Sequence, residues 1–267
     1  IFEARDNIHI IDLAKTKEGL EEAAAFIKDV ASKNGVLVVV GTKRQAKTIV
    51  EEEVKRAADN NLFFITNRWV GGLLTNFSEV SKNFKKLHDF ETDLADDEVR
   101  ARYTKKEIGG WEKEKNKLEN LYGGVAKITK KPDALFIIDS HLENLAVREA
   151  LVTHVPTVGI VDTNADPGVL DYPIPANDDA VGSIKLIATY IIDAWIEGRK
   201  LAEDRKTATT ETQKGTETLK GKQTATTEAQ KKNETQKSKL SVSEKLSDSV
   251  VARKVSSKGK RKNVSKK

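Results

Sequence analysis

VLVVVGTKRQA, residues 36–46, begins with four valines and a leucine and no polar residue among them. A strand with one face in water alternates apolar and polar residues, whereas a strand of a parallel sheet covered by helices on both faces reads as an unbroken apolar run. Gly41 ends that run, and the polar turn GTKR leads into a helix expected over about residues 43–58, with Thr42 as its cap. Strand, polar turn and helix in this order are the first half of a parallel crossover.

The same grammar extends in both directions. Upstream, Leu20, Ala23, Ala24, Ile27 and Val30 recur at spacings of three and four, which predicts a helix closed by Gly35 in the left-handed region. NIHIIDL (7–13) before it reads as a strand. Downstream, LFFIT (62–66), ALFIID (134–139) and TVGIVD (157–162) are three further strand candidates, with helices expected over roughly 143–153 and 179–198. This alternation predicts a doubly wound α/β domain, flavodoxin-like or Rossmann-like, with a mostly parallel five-stranded sheet.

One insertion breaks the rhythm, because about 65 residues separate the third and fourth strands where a crossover needs far fewer. Val80, Phe84, Leu87, Glu91 and Leu94 form one stripe and Ile108, Trp111, Lys115, Leu118 and Tyr122 another, with the acidic loop ADDEV between them. Two such stripes predict a protruding antiparallel helical hairpin of coiled-coil type over residues 78–125, set into a sheet domain of residues 1–77 and 126–201. Gly109 and Gly110 fall inside its second helix, where each is unfavourable by about 1 kcal/mol relative to alanine.

Composition divides the chain again at its end. Residues 202–267 carry 18 Lys and Arg against 8 Asp and Glu and have no aromatic residue, while residues 1–201 carry 28 against 33. The overall charge of +5 therefore conceals an acidic domain and a basic tail of net +10. Such a tail lacks the apolar surface to offset backbone ordering and is expected to be a disordered arm, solvated or drawn to polyphosphate.

The same inventory narrows the chemistry. There is no cysteine, so disulfide and thiolate chemistry are excluded, and His9, His88, His141 and His154 lack close ligand spacing, so no metal site is expected. No apolar run reaches the length of a membrane span. The chain opens at Ile1, and a preceding amino-terminal piece is expected. Four expected strand ends are polar: GTKRQ (41–45), TNRWVGG (66–72), DSHLEN (139–144) and DTNADP (162–167). Ligands of open parallel sheets bind at such ends. GTKR resembles a phosphate-binding turn without a glycine fingerprint, which leaves a nucleotide pocket, a capped helix start and a nucleic-acid phosphate contact all open. Ser140 and His141 lack flanking elbow glycines, which argues against hydrolysis. Asp162 and Asp166 fit a capped proline turn better than a cation site. In RWVGGLLTNF (68–77), the glycines permit a tight turn, Leu73 and Leu74 anchor it, and Thr75 or Asn76 caps the next helix. Arg68 and Trp69 are left to meet phosphate, ribose or a protein neighbour, or else to form a buried indole beneath a snorkelling arginine.

Taken together, FFITNRWVGGLLTNF, VLVVVGTKRQA, YTKKE, KLENLYGGV, KPDALFIIDSHLENLAVREA, FEARDNIHIIDLAKT, VPTVGIVDTNADP and IPANDDA resemble, in content and order, the bacterial-type ribosomal protein S2 family of the small subunit. The resemblance covers residues 1 to about 200. It implies a non-enzymatic structural protein that binds small-subunit ribosomal RNA and neighbouring ribosomal proteins, including the large S1 protein. It implies a cytoplasmic location in the small subunit, an organelle ribosome being the variant, with no cofactor, small-molecule substrate or membrane. Carried onto this chain, it makes Lys43, Arg44, Arg68, Trp69, Lys105 and Lys106 the expected RNA or subunit contacts. The rival reading is a nucleotide- or sugar-phosphate-binding α/β enzyme using the same strand ends. Three features depart from the family pattern: its basic leader with a His-Phe-Gly-His-like segment is not present here, Gly109-Gly110 is unusual inside the hairpin, and the basic tail lies outside it.

Overall fold

A computed structural model describes residues 3–5 and 8–205, and the expected tail arm beyond residue 205 lies outside the described residues. A short antiparallel ribbon, β1 (Glu3–Arg5) and β2 (Ile8–Ile10), precedes helix α1 (Leu13–Ser32), whose first turn is capped by Asp12. Then follow β3 (Leu37–Val40), α2 (Lys47–Ala57), β4 (Leu62–Ile65), α3 (Phe77–Ala95), α4 (Asp97–Arg102) and α5 (Lys105–Tyr122). The remaining elements are β5 (Ala134–Ile137), α6 (Asn144–Thr153), β6 (Thr157–Val161), a 3-10 turn (Pro167–Val169), β7 (Tyr172–Pro175) and helix α7 over residues 181–205.

Five strands form one sheet in the order β4-β3-β5-β6-β7, and every neighbouring pair is parallel. The doubly wound class is thus as expected, but its fifth strand is not NIHIIDL, which lies in the separate ribbon. It is β7, drawn from YPIP. Two prolines argue against a strand, yet β7 is at the sheet edge, where Pro173 and Pro175 alternate with Tyr172 and Ile174. Alternate residues direct their N–H groups to opposite sides, so an edge tolerates proline at one parity.

The pleat divides the apolar run quoted above between two cores. Leu37 and Val39 point to the layer of α1, α2 and α7, where Ile27, Val50 and Trp195 lie, and Val36, Val38 and Val40 point to the layer of Trp69, Leu73, Leu74, Phe84 and Val147. Phe136 and Leu135 divide in the same way. Each face therefore excludes water independently, which is why no polar alternation is visible.

Local termini differ from the sequence reading for identifiable reasons. After α1 the left-handed residue is Asn34 (φ 59°) and not Gly35, whose added Cβ would lie 2.6 Å from Val30 Cγ1. Gly35 is needed for close approach. Helix α2 starts at Lys47 behind Ala46, whose methyl cannot cap it, and Thr42, four residues earlier, gives its hydroxyl to Glu143.

Helices α3 and α5 pack against each other. Phe84 meets Tyr122 with ring centroids 5.4 Å apart, Lys86 pairs with Glu114, and Phe90 meets Trp111 at 6.4 Å, so one helix ascends as the other descends. Val80, Phe84, Leu87 and Tyr122 are buried, and Val80, Phe84 and Tyr122 join the core on that side of the sheet. The segment read as an acidic loop is the short helix α4, whose N-cap Asp96 accepts from the amides of Glu98 and Val99. Helix α5 runs unbroken through Gly109 and Gly110, and a methyl group on either would have nothing within 4 Å. Gly109→Ala and Gly110→Ala are each expected to stabilise the fold by about 0.5–1 kcal/mol, since alanine loses less backbone entropy and meets no obstacle. A lowered urea midpoint for either variant would contradict a continuous helix there.

Candidate functional site

The chain leaves β3 for one side of the sheet through β4, and crosses to the other side through β5. In open α/β sheets the crevice between two such strands, at their carboxyl ends, is the place for a ligand. Here the crevice contains the protein's own charges. Lys43 Nζ lies 3.1 Å from Asp139 Oδ2, 2.7 Å from Asp178 Oδ1 and 2.7 Å from Asp179 Oδ1. Three loops, those after β3, β5 and β7, are thus drawn to one ammonium. Burial disfavours that charge, but hydrogen bonds to the three carboxylates prevail and raise the Lys43 pKa above the usual lysine range.

The acids around it diverge. Burial opposes the Asp139 charge, but amide donation from Leu142, the Lys43 ammonium and the His141 amide outweigh it and depress its pKa. Burial raises Asp178 against the pull of Lys43, and the nearby charges of Asp139 and Asp162 push the same way. Glu143 is likewise raised by burial despite its bonds from Thr42. It accepts from the Thr42 amide (3.2 Å) and from the Thr42 hydroxyl. Ser140 is buried with its hydroxyl unpartnered, and His141 is exposed, so the two form no nucleophile–base pair. Asp166 accepts from the Gly168 amide at the head of its proline turn, and Asp162 accepts from Thr163 and Asp178 amides. Among the described residues no cluster of His, Asp or Glu has metal-binding geometry.

The RWVGGLLT loop repeats the pattern on a larger scale. Its donors converge on one carboxylate, that of Glu149 in α6. Trp69 Nε1 (3.2 Å) and the Gly72 amide (2.8 Å) donate to Oε1, while the amides of Leu74 (3.2 Å) and Thr75 (3.4 Å) and the Thr75 hydroxyl (3.2 Å) donate to Oε2. Gly72 takes φ +94°, which a side chain would resist, and Leu73 and Leu74 are buried anchors. Asn76 stands at the start of α3 without a capping bond, and Thr75 serves Glu149 instead. The loop is built like an anion cradle, and an internal anion fills it. Burial opposes the Glu149 charge, but donation from Gly72, Trp69, Leu74 and Thr75 holds its pKa below the usual glutamate value.

Of the six residues expected to make contacts, Trp69 is buried at 4 % exposure and Lys43 is committed to its carboxylates. Arg44 and Arg68 are exposed on the loops that Lys43 and Glu149 anchor, and neither has an acceptor among the described residues. Lys105 and Lys106 are exposed at the start of α5. The site therefore does not converge. Among the described residues one cavity of about 470 Å³ flanks edge strand β4 between Phe64 and Gly124, and one of about 330 Å³ lies at the carboxyl end of β6, lined by Asp162, Thr163 and Pro167 with Ile11 and Lys15, away from Lys43 and Glu149.

The model of the Ribosomal protein S2 family matches residues 1–198, nearly three-quarters of the chain. The chain belongs to the ribosomal protein S2 family. It is accordingly a small-subunit ribosomal protein, a structural constituent of the ribosome that serves translation. Among the described residues no helix is long and apolar enough to cross a membrane.

Within this S2-family chain the residues that sequence reasoning missed are Glu143, Glu149 and Asp178. Their signal was present for the first two. Ala146, Val147 and Ala150 mark the buried face of α6, and Glu143 and Glu149 interrupt that face with a charge. A carboxylate on an apolar helical stripe calls for a partner, because an unpaired buried charge is prohibitive. Asp178 carried no comparable signal, since it lies in the polar run NDD.

Proposed function

We propose that the carboxyl edge of the sheet binds small-subunit ribosomal RNA by its phosphates and shape, with Arg44 and Arg68 as the contacting cations. Lys105 and Lys106 contribute a second contact from α5. Lys43 and Trp69 act from behind, holding the two loops in place. Neighbouring ribosomal proteins, including S1, share the surface, and the protein works in the cytoplasmic small subunit without catalysing a reaction.

The observation that carries this reading is a difference between the two ends of the sheet. At the amino-end side, Arg56 is paired with Glu53 (2.6 Å) and Asp193 (2.7 Å), and Arg199 is paired with Asp59 (2.6 Å). At the carboxyl end, Arg44 and Arg68 have no carboxylate, although acids are abundant nearby. The structure directs those acids to Lys43 and to loop amides instead. A guanidinium without an internal partner is suited to phosphate, which it can grip with two parallel hydrogen bonds.

Binding to purified small-subunit RNA over a salt series tests this. Arg44→Ala and Arg68→Ala are each expected to lower the slope of log affinity against log salt by about 1, as one phosphate contact is lost. Slopes equal to that of the unaltered protein, or saturable binding of a nucleotide at the β3–β5 crevice, would overturn the reading.

A further inference from the structure

The tip of the α3–α5 pair carries a feature that the sheet-edge contacts do not use. Residues 100–106 read RARYTKK, with four cations, no acid and one aromatic ring. Arg100, Arg102, Lys105 and Lys106 are all exposed, and none makes an ion pair or hydrogen bond through its side chain among the described residues. Tyr103 stands in their midst with 44 % of its surface open. Its ring is braced from one side by Trp111, centroid to centroid 4.6 Å at 59°, and Trp111 in turn meets Phe90 at 6.4 Å.

The backbone beneath the ring is fixed at both ends. The Tyr103 amide donates to the Arg100 carbonyl (3.4 Å), which closes α4. At the next residue Thr104 opens α5 with a reciprocal capping box to Glu107. That box also occupies the Glu107 carboxylate, and Asp96 is occupied in capping α4. Asp97 and Glu98, nearer in sequence than Asp96, lie in the first turn of α4 and make no ion pair with Arg100 or Arg102 among the described residues, so the cations remain available.

We propose that Tyr103 is a stacking platform for an unpaired nucleobase, with Arg100, Arg102, Lys105 and Lys106 holding the flanking phosphates of a single-stranded RNA segment. This rests on RNA being the partner, as argued above, and specifies the form of RNA that the tip takes. An aromatic face among exposed cations is the arrangement by which proteins hold single strands, because every base has a π-face and every phosphate a charge. An acidic protein segment would use the cations but would leave the rigid ring without a role.

The test uses the full chain, a ten-nucleotide uridine RNA and a fully paired RNA duplex of equal length. Tyr103→Leu, which keeps an apolar contact to Trp111, is expected to weaken single-strand binding about tenfold and leave duplex binding unchanged. Tyr103→Phe restores the affinity. Trp69 and Trp195 are buried, so quenching of tryptophan emission by the single strand reports Trp111 beneath the platform. Equal loss on both RNAs, no loss on the single strand, emission unaffected by it, or stronger displacement by a polyglutamate peptide than by uridine RNA would overturn the proposal. If the unaltered chain binds neither RNA, the RNA-binding reading itself fails; if it binds the duplex with Arg44- and Arg68-dependent salt slopes while Tyr103→Leu changes nothing, only the tip assignment fails.

Discussion

Glu149→Ala is expected to cost about 3 kcal/mol or more of folding stability, because it strands several donors at once in a buried loop. The Trp69 indole and the amides of Gly72, Leu74 and Thr75 all donate to this carboxylate, and Trp69 and Leu74 are 4 % and 0 % exposed. Water cannot reach the Trp69 indole or the Leu74 amide to replace the lost acceptor. Glu149→Gln keeps one acceptor oxygen and is expected to lose less.

Comparing the unaltered protein with Glu149→Gln across pH isolates the charge. The Glu149 pKa is depressed in the folded state, burial being outweighed by four residues' hydrogen bonds. A carboxylate of this kind contributes stability above its unfolded pKa, about 4.3, and loses that contribution as pH falls through the lower folded value. The gap in urea midpoint between the two proteins should thus be full at pH 7 and narrow progressively below about pH 4. A gap constant down to pH 3 would mean that the loop needs an acceptor but not a charge. Since the loop displays Arg68, the same variant should also weaken RNA binding.

Gly124→Ala is the second substitution with a large expected effect. A Cβ there would lie 2.1 Å from the Phe64 carbonyl oxygen and within 2.9 Å of two atoms of its ring. This closeness is structural in origin: the Phe64 amide donates to the Gly124 carbonyl (3.2 Å), so the segment after α5 covers the open edge of β4. An uncovered edge strand is a template for aggregation. Displacing the segment is expected to cost about 3 kcal/mol and to make the protein prone to self-association on concentration. Unchanged thermal stability in Gly124→Ala would show that the segment can shift without loss.

Much of the fold was legible because it is written in short-range patterns. The apolar run of β3, the helical spacing of α1 and the two stripes of α3 and α5 depend only on which face each residue presents. Where a local rule was overridden, the reason was tertiary. YPIP became a strand because an edge accommodates proline, and the 7–13 segment lay outside the main sheet because β7 took the fifth position beside β6. Asn34 took the turn assigned to Gly35, while Gly35 leaves room for Val30, which a Cβ there would meet at 2.6 Å.

The site was less legible. Arg44, Arg68, Lys43 and Trp69 were all candidates from residue type and place, and nothing local in the sequence showed that the fold would engage Lys43 and Trp69 internally and leave Arg44 and Arg68 exposed. What separates them is a set of partners far along the chain, Asp178 for Lys43 at 135 residues and Glu149 for Trp69 at 80.

By itself the sequence determined the alternation of strands and helices, the two-faced sheet, the family and the absence of thiol chemistry, since each follows from residue type and spacing of a few positions. Only the tertiary structure decided that the two loops resembling phosphate cradles are closed by Glu143 and Glu149, that Lys43 is an internal counter-ion, and that Arg44 and Arg68 remain open. Charge pairing is a matter of distances of a few ångströms between groups on different elements, and those distances exist only after the chain has folded.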